Sequence, residues 1–277
     1  VILDLHDLMP EFYAERFQRS TDSLPVRLVC WQERISCWFA DHVITVTEHW
    51  RQALVKRGVP PERCSVVMNL ADNRIFYPLS AQDDRVKGNS RFCLLYHGTM
   101  AERYGLDLVL QAMDRIRNDI PEIHLTLVGG GEHLETLKCI AEDLDLKESH
   151  VEFMDSVPVE QLPPLIASAD LGVVPYRDDV FTDSLLPTKL LEYAAMGLPA
   201  IAARTSAISA YFDETMVQFF TPGDAVELAS CILTLHGDGS LLANLARSIM
   251  KFNEQYNWPD QSAEYVQLVR RLGDKPA

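Results

Sequence analysis

The feature that most constrains this chain is the alternation of short apolar runs with helical periods through its second half. Residues 92–96, 123–128, 151–153, 171–174 and 199–202 are strand-length and mostly apolar. Between the first two, Leu106, Val109, Leu110, Met113 and Ile116 fall at spacings of three and four, the signature of one helix face. Leu134, Leu137 and Ile140 repeat it, and further helices are expected over 161–167, 188–196 and 225–235. Strands alternating with helices fold as βαβ units, so the expected class is α/β, a doubly wound parallel sheet. Residues 1–80 show the same alternation less completely. Strands are expected over 1–5, 43–47 and 65–68, with helices over 26–39 and 48–57, the last closed by Gly58 and Pro60-Pro61. That stretch is about half of the ~150 residues such a lobe usually takes. The chain also opens in mid-strand, without methionine or cap. The expectation is one complete lobe behind the back half of another, joined by a polar, turn-rich linker over 77–90.

Composition narrows the class of partner. With 277 residues, 47% hydrophobic and 23% charged, the chain can build two cores and is neither disordered nor fibrous. Formal charge is −15 and uneven: residues 1–80 hold 9 Lys/Arg against 10 Asp/Glu, residues 81–277 hold 16 against 30. An acidic second half argues against nucleic acid, while the near-neutral first half leaves a peripheral membrane contact open. The richest apolar run, 190–203, is interrupted by Glu192 and falls short of a membrane span. Six scattered cysteines without a C-x-x-C pair read as reduced core thiols, and a cytoplasmic setting is expected. The histidines show no ligand spacing, so no metal site is expected.

In open parallel sheets ligands bind beyond the carboxyl ends of the strands, which restricts the search to strand-to-helix loops. Three are unusual. In His97-Gly98-Thr99-Met100-Ala101-Glu102-Arg103-Tyr104-Gly105, glycines let backbone approach a ligand and Arg103 could meet a phosphate. The alternative is a surface Arg beside capping glycines. Gly129-Gly130-Gly131 fails the G-x-G-x-x-G pattern because Leu134 occupies the third position. It reads as a tight turn or as close passage of a nucleotide. In Pro187-Thr188-Lys189, a proline-led helix start offers free N–H groups and a dipole beside a cation, a pyrophosphate site in outline. Glu192, one turn after Thr188, could accept from ribose hydroxyls, or else form a solvated i,i+3 pair with Lys189.

These residues carry a resemblance. Ala169-Asp170-Leu171-Gly172-Val173-Val174-Pro175-Tyr176 and the run from Pro187 to Pro199 resemble the donor lobe of retaining GT-B-fold glycosyltransferases. The matching group is the one that includes sucrose synthases and mannosyltransferases. Tyr96-His97-Gly98-Thr99, Asn69-Leu70-Ala71-Asp72, Trp258-Pro259 and Leu5-His6-Asp7-Leu8-Met9-Pro10-Glu11 are similar to the group's first loop, lobe junction, final helix and mid-lobe stretch. The resemblance implies two Rossmann-like lobes, the first incomplete. It divides the chain into an acceptor-side lobe over 1–80, a nucleotide-sugar donor lobe over 90–256, and a final helix and tail over 257–277 that packs back toward the first lobe.

It also implies roles. Glu192 matches the second Glu of the E-x7-E motif, on the donor ribose; the first Glu falls at Ser184, a departure. The group's pyrophosphate-binding Arg and Lys fall at Thr99 and Tyr104, so Arg103 and Lys189 are the expected substitutes. His6 matches a histidine on the donor sugar, its alternative being a capping or core histidine. Phe153 and Val157 would lie near the base, and Gly98, Gly129, Gly130, Leu185, Leu186 and Thr188 would line the donor. The implied reaction moves a sugar from a nucleotide-diphosphate sugar to a glycan or lipid-linked acceptor. It proceeds with retention, by front-face attack, and without metal or other cofactor; Asp143-Leu144-Asp145 reads as solvated helix surface. Three rivals are kept: a non-catalytic nucleotide-sugar-binding module, a sugar-nucleotide 2-epimerase of the same fold, and a nicotinamide dehydrogenase.

Overall fold

The structure, a computed structural model, describes residues 1–78, 91–147 and 149–273. The stretch read as a linker lies outside the described residues apart from Tyr77 and Pro78. The chain forms two compact units: unit 1 takes residues 1–70, 179–186 and 256–277, and unit 2 takes residues 71–178 and 187–255.

Unit 1 begins with β1 (Ile2–Leu5), α1 (Met9–Arg16), α2 (Leu24–Phe39), β2 (His42–Thr45), α3 (Glu48–Lys56) and β3 (Cys64–Val66). The strands form a parallel sheet in the order β1-β2-β3, with Ile2 opposite His42 and Val43 opposite Cys64. β2 is buried along its whole length, whereas β1, expected to be buried, is only partly covered. Thr47 starts α3 by accepting from the Trp50 N–H at 3.2 Å, satisfying a donor the first turn would leave bare. Trp50, Leu54, Val43, Val59 and Cys64 make the core beneath it.

Unit 2 contains β4 (Phe92–Thr99), α4 (Leu106–Ile116), β5 (Ile123–Gly130), α5 (Leu134–Asp143), β6 (Val151–Met154), α6 (Leu162–Ser168), β7 (Leu171–Val174), α7 (Thr188–Met196), β8 (Ala200–Ala203), α8 (Ser206–Ser209), β9 (Gln218–Phe220), α9 (Ala225–Gly237), α10 (Gly239–Ile249) and α11 (Lys251–Gln255). Its six strands are parallel, in the order β6-β5-β4-β7-β8-β9. β4 sits in the middle, so the winding reverses between β4 and β7, and a crevice opens there beyond the strand ends. Leu94, Leu125, Leu171, Val173 and Ile201 are fully buried on these strands, and the expected α4 face packs against α9. Burial of that kind is worth about 1.5–3 kcal/mol for each large side chain.

Three segments depart from expectation. Residues 179–186 belong to unit 1, because the Trp50 indole donates to the Ser184 carbonyl at 2.6 Å, Leu185 joins the core beneath α3, and Phe12 meets Phe181 edge-on. Residues 71–78, expected with the first lobe, fall in unit 2. The Asp143-Leu144-Asp145 stretch is exposed at its acids, as expected, but only Asp143 belongs to α5; Leu144 and Asp145 form the turn that closes it, Asp145 at a left-handed φ of 56°. The last helix, α12 (Trp258–Gly273), is part of unit 1, where the Gln261 amide exchanges two 2.8 Å hydrogen bonds with the Met68 backbone. Among the described residues, no helix is long and apolar enough to cross a membrane.

Candidate functional site

The crevice of unit 2 is floored by the ends of β4 and β5. Gly98 pairs with Gly129 and Thr99 with Gly130 across these strands. A Cβ at Gly129 would lie 2.2 Å from the Gly98 carbonyl oxygen, and its φ of 132° is closed to L side chains. Glycine is therefore required for β4 and β5 to meet so closely at the rim. Gly105, at a φ of 64°, turns the chain into α4 with a Cβ position 2.1 Å from the Pro175 carbonyl oxygen. The loops after β4 and β7 are thereby pressed together at the reversal of winding.

Lys189 enters this gap from the first turn of α7. It is buried, and its Nζ donates to the Tyr176 hydroxyl at 3.0 Å. The same ammonium lies 4.8 Å from the Tyr96 ring centre, 5.2 Å from that of Tyr176 and 5.3 Å from that of Tyr104. Three aromatic faces attract a cation through their quadrupoles and restrict its movement. Tyr104 stacks on Tyr176 at 4.8 Å between ring centres, and the Arg103 guanidinium lies 5.0 Å from the Tyr104 ring centre. Tyr96 is fixed in turn by donating to the Thr99 carbonyl at 2.6 Å, and burial raises its phenol above the usual range. A Cβ on Gly98 would stand 3.5 Å from Lys189 Cε and 3.8 Å from Nζ, so the cation lies directly beside the glycine loop.

Glu192 does not pair with Lys189 as the i,i+3 alternative had it. Its Oε2 lies 3.1 Å from Nε2 of His97, at the end of β4. Both groups are largely buried, and neither of these two atoms makes a hydrogen bond of good geometry. Burial pushes Glu192 up to about 7, partly opposed by the Lys189 charge. Burial, reinforced by the same charge, pushes His97 down to about 3. The imidazole is thus neutral near pH 7. It rests edge-on against Tyr193, 5.3 Å between ring centres.

Unit 2 thus brings together Gly98 and Thr99 at the end of β4, Gly129 and Gly130 at the end of β5, Arg103 in the loop after β4, and Thr188, Lys189 and Glu192 on α7, all on the carboxyl-end side of its sheet. Phe153 lies near the carboxyl end of β6, opposite Leu127 in the β5–β6 register, and Val157 follows in the next loop. Thr188 is exposed at the α7 start, with Pro187 in the capping position just outside the helix. Ser184, Leu185 and Leu186 belong instead to unit 1. The Ser184 hydroxyl is buried and donates to the Phe181 carbonyl at 2.9 Å, which gives it a structural bond where a donor-lining role was expected. His6 is an exposed unit 1 residue, 3.3 Å from Asp4, and is not the core histidine of its alternative reading.

Sequence reasoning missed His97, Tyr96 and Tyr176 as parts of the site. The available signal was their position in or just after the ends of β4 and β7. Tyr104 stands where the group has a basic residue, yet its ring supplies one wall around the cation. Among the described residues, no cluster of three or more His, Cys, Asp or Glu is arranged to hold a metal ion.

A family model described as glycosyl transferases group 1 matches residues 91–238, more than half of the chain. The chain belongs to the group 1 glycosyl transferases. Within that family it is similar to a GDP-mannose-dependent alpha-(1-6)-phosphatidylinositol monomannoside mannosyltransferase of Mycolicibacterium smegmatis, 37% identical over 111 residues, 38% of this chain and 28% of the relative. It is also similar to the amylovoran biosynthesis glycosyltransferase AmsK of Erwinia amylovora, 22% identical over 83% of this chain and 56% of that protein. The chain therefore spans about a quarter to just over half the length of these curated relatives. Its fold is that of the GT-B glycosyltransferases. Sucrose-phosphate synthase from Thermosynechococcus elongatus superposes with a TM-score of 0.79 at 21% identity, over 98% of this chain and 67% of that one. Anabaena HepE in complex with UDP-glucose gives 0.79 at 19% identity, over 98% and 72%.

Proposed function

We propose that this group 1 glycosyl transferase takes a nucleotide-diphosphate sugar as donor and transfers its sugar, with retention, to an acceptor hydroxyl. The observation that carries the reading is Lys189, a buried ammonium held by three tyrosines beside the Gly98 loop at the reversal point of the unit 2 sheet. Breaking the anomeric C–O bond leaves negative charge on the departing diphosphate. A unit charge 4 Å from a cation gains about 4 kcal/mol at an effective dielectric near 20. A cation already fixed and dehydrated needs little reorganisation to supply that stabilisation.

In this proposal Lys189 and Arg103 face the diphosphate, with the exposed start of α7 at Thr188 adding N–H donors. Glu192 takes the ribose hydroxyls, Phe153 and Val157 flank the base, and the glycines at 98, 129 and 130 leave room for the ligand. From unit 1 the proposal takes His6, as a residue whose removal lowers turnover more than nucleotide affinity. Front-face attack, with the leaving phosphate as base and no dedicated metal, is carried forward from the family resemblance. HepE is described with UDP-glucose and the mycobacterial relative is named as GDP-mannose-dependent, so a nucleoside diphosphate donor has support from both. The names of the mannosyltransferase and AmsK favour a lipid-linked or glycan acceptor. A cytoplasmic setting is proposed from the scattered thiols.

One observation favours a second reading, a module that binds the nucleotide sugar without transfer. The residue at the first Glu position is Ser184, and its hydroxyl is committed to Phe181. Thermal unfolding with UDP, GDP, ADP and NAD tests the donor site in both readings. A ligand at 100 times its Kd adds about 2.7 kcal/mol to the native state. The expected result is a rise of a few degrees with one nucleoside diphosphate and none with NAD. Lys189→Ala and Glu192→Ala should each abolish most of that rise. No rise with any nucleotide would remove the donor site, and sugar release or transfer lost in Arg103→Ala would reject the non-catalytic module.

A further inference from the structure

The pair formed by His97 and Glu192 extends that reading of the site. His97 is a β4 residue, Glu192 belongs to α7, and Nε2 and Oε2 approach to 3.1 Å at the bottom of the crevice. The histidine side chain is only 7% exposed and Glu192 17%. Neither Nε2 nor Oε2 makes a hydrogen bond of good geometry to any group, and a buried polar atom left without one is costly. The titratable groups facing the pair are Lys189 and Tyr193 from α7, with Tyr96 beside them on β4. Lys189 is already committed to the Tyr176 hydroxyl, and Tyr193 donates to the Leu95 carbonyl at 3.1 Å. The partner left for the Glu192 carboxyl is the imidazole nitrogen.

We propose that His97 is a positioning residue for Glu192: in the empty site its Nε2 accepts a hydrogen bond from the Glu192 carboxyl O–H, and a ribose diol takes the place of that contact when the donor binds. The inference rests on the ribose role given to Glu192 above. In the empty site the Glu192 O–H donates to a neutral ring. When the diol hydroxyls donate to the carboxylate, the carboxyl O–H bond breaks and its proton leaves to solvent. The imidazole is neutral before and after. The direction of both shifts agrees, since burial holds the carboxyl proton on up to about 7 and keeps His97 unprotonated.

Because the bound form needs the carboxylate, affinity should rise with pH and level off once Glu192 ionises by itself. UDP and GDP binding by calorimetry, in two buffers of different ionisation heat, reads this directly. The expected result is release of about one proton at slightly acid pH and a roughly tenfold gain in affinity between about pH 6 and pH 8. In His97→Gln the amide donates to the carboxylate and favours its charged form. The pH step should then flatten, with affinity at the alkaline end kept within about twofold. Wild-type binding without proton release, or a His97→Gln profile matching the wild type, would overturn the inference while leaving the donor site intact. Absence of binding by both nucleotides would instead remove the reading on which it rests. Imidazole NMR of the ligand-free chain separates the two cases. His97 should stay neutral down to about pH 5, and an ordinary titration near pH 6.5 would overturn the pairing by itself.

Discussion

Helix α4 of unit 2 and helix α2 of unit 1 each follow from an apolar period in the sequence, yet α4 buries seven of its eleven residues and α2 three of its sixteen. On α4 the stripe Leu106, Val109, Leu110, Met113 and Ile116 is the face that packs. On α2 the residues at helical spacing, Leu24, Leu28, Trp31, Ile35 and Trp38, point outward, with Trp31 64% and Trp38 78% exposed. The face that packs is Val26, Glu33 and Cys37, and the buried Glu33 pairs with Arg57 at 2.7 Å. Periodicity therefore identifies a helix in both units, but it gives the packed side only where the apolar stripe is narrow. An apolar surface spread around the helix leaves that choice to the tertiary structure.

The contrast can be broken most severely in unit 2. Gly129→Val would drive a branched side chain into the Gly98 carbonyl at a φ reserved for glycine. The expected loss is about 3 kcal/mol or more in denaturant unfolding followed by circular dichroism. An unchanged midpoint would show that β4 and β5 do not meet as described. A paired comparison sharpens the point. Leu110→Ala should cost about 3 kcal/mol, whereas Leu28→Ala, on the outward face of α2, should stay within about 0.5 kcal/mol. Equal losses would mean that the α2 stripe is packed in solution. The smallest expected effect concerns the site. Tyr176→Phe removes the hydroxyl that accepts from Lys189 but leaves the three rings, and should weaken nucleoside diphosphate binding by about 1 kcal/mol, roughly fivefold. A loss as large as that of Lys189→Ala would show that the hydroxyl, not the aromatic surround, holds the cation.

Much of unit 2 was legible in the sequence because its elements are local and strongly patterned. The bounds of α7, Thr188–Met196, are those expected, and five of its six strands were recognisable as apolar runs. β9 was not: at three residues, Gln218–Phe220, it is too short for a period and is specified by its pairing with β8. α1 is not legible because its eight residues show little contrast between an apolar and a polar face. The assignment of residues 179–186 to unit 1 rests on a hydrogen bond between Trp50 and Ser184, 134 positions apart, which no local pattern records. The candidate site divides in the same way. Its glycines, Arg103, Lys189 and Glu192 fall in short stretches around strand ends and a helix start that stand out by composition. Their partners do not, because Tyr96, Tyr104 and Tyr176 converge on Lys189 only after β4 and β7 have paired.

All four tryptophans, Trp31, Trp38, Trp50 and Trp258, belong to unit 1, whereas the cation-holding crevice of unit 2 is built with tyrosine. The chain thus carries a built-in separation of optical signals. Indole emission follows the melting of unit 1 alone, with Trp50 in a dry environment and Trp31 and Trp38 in water. Events in the crevice, by contrast, belong to the tyrosine absorption band. A nucleotide that perturbs the tyrosine band while leaving indole emission unchanged would show that unit 2 responds to the ligand without involving the other unit.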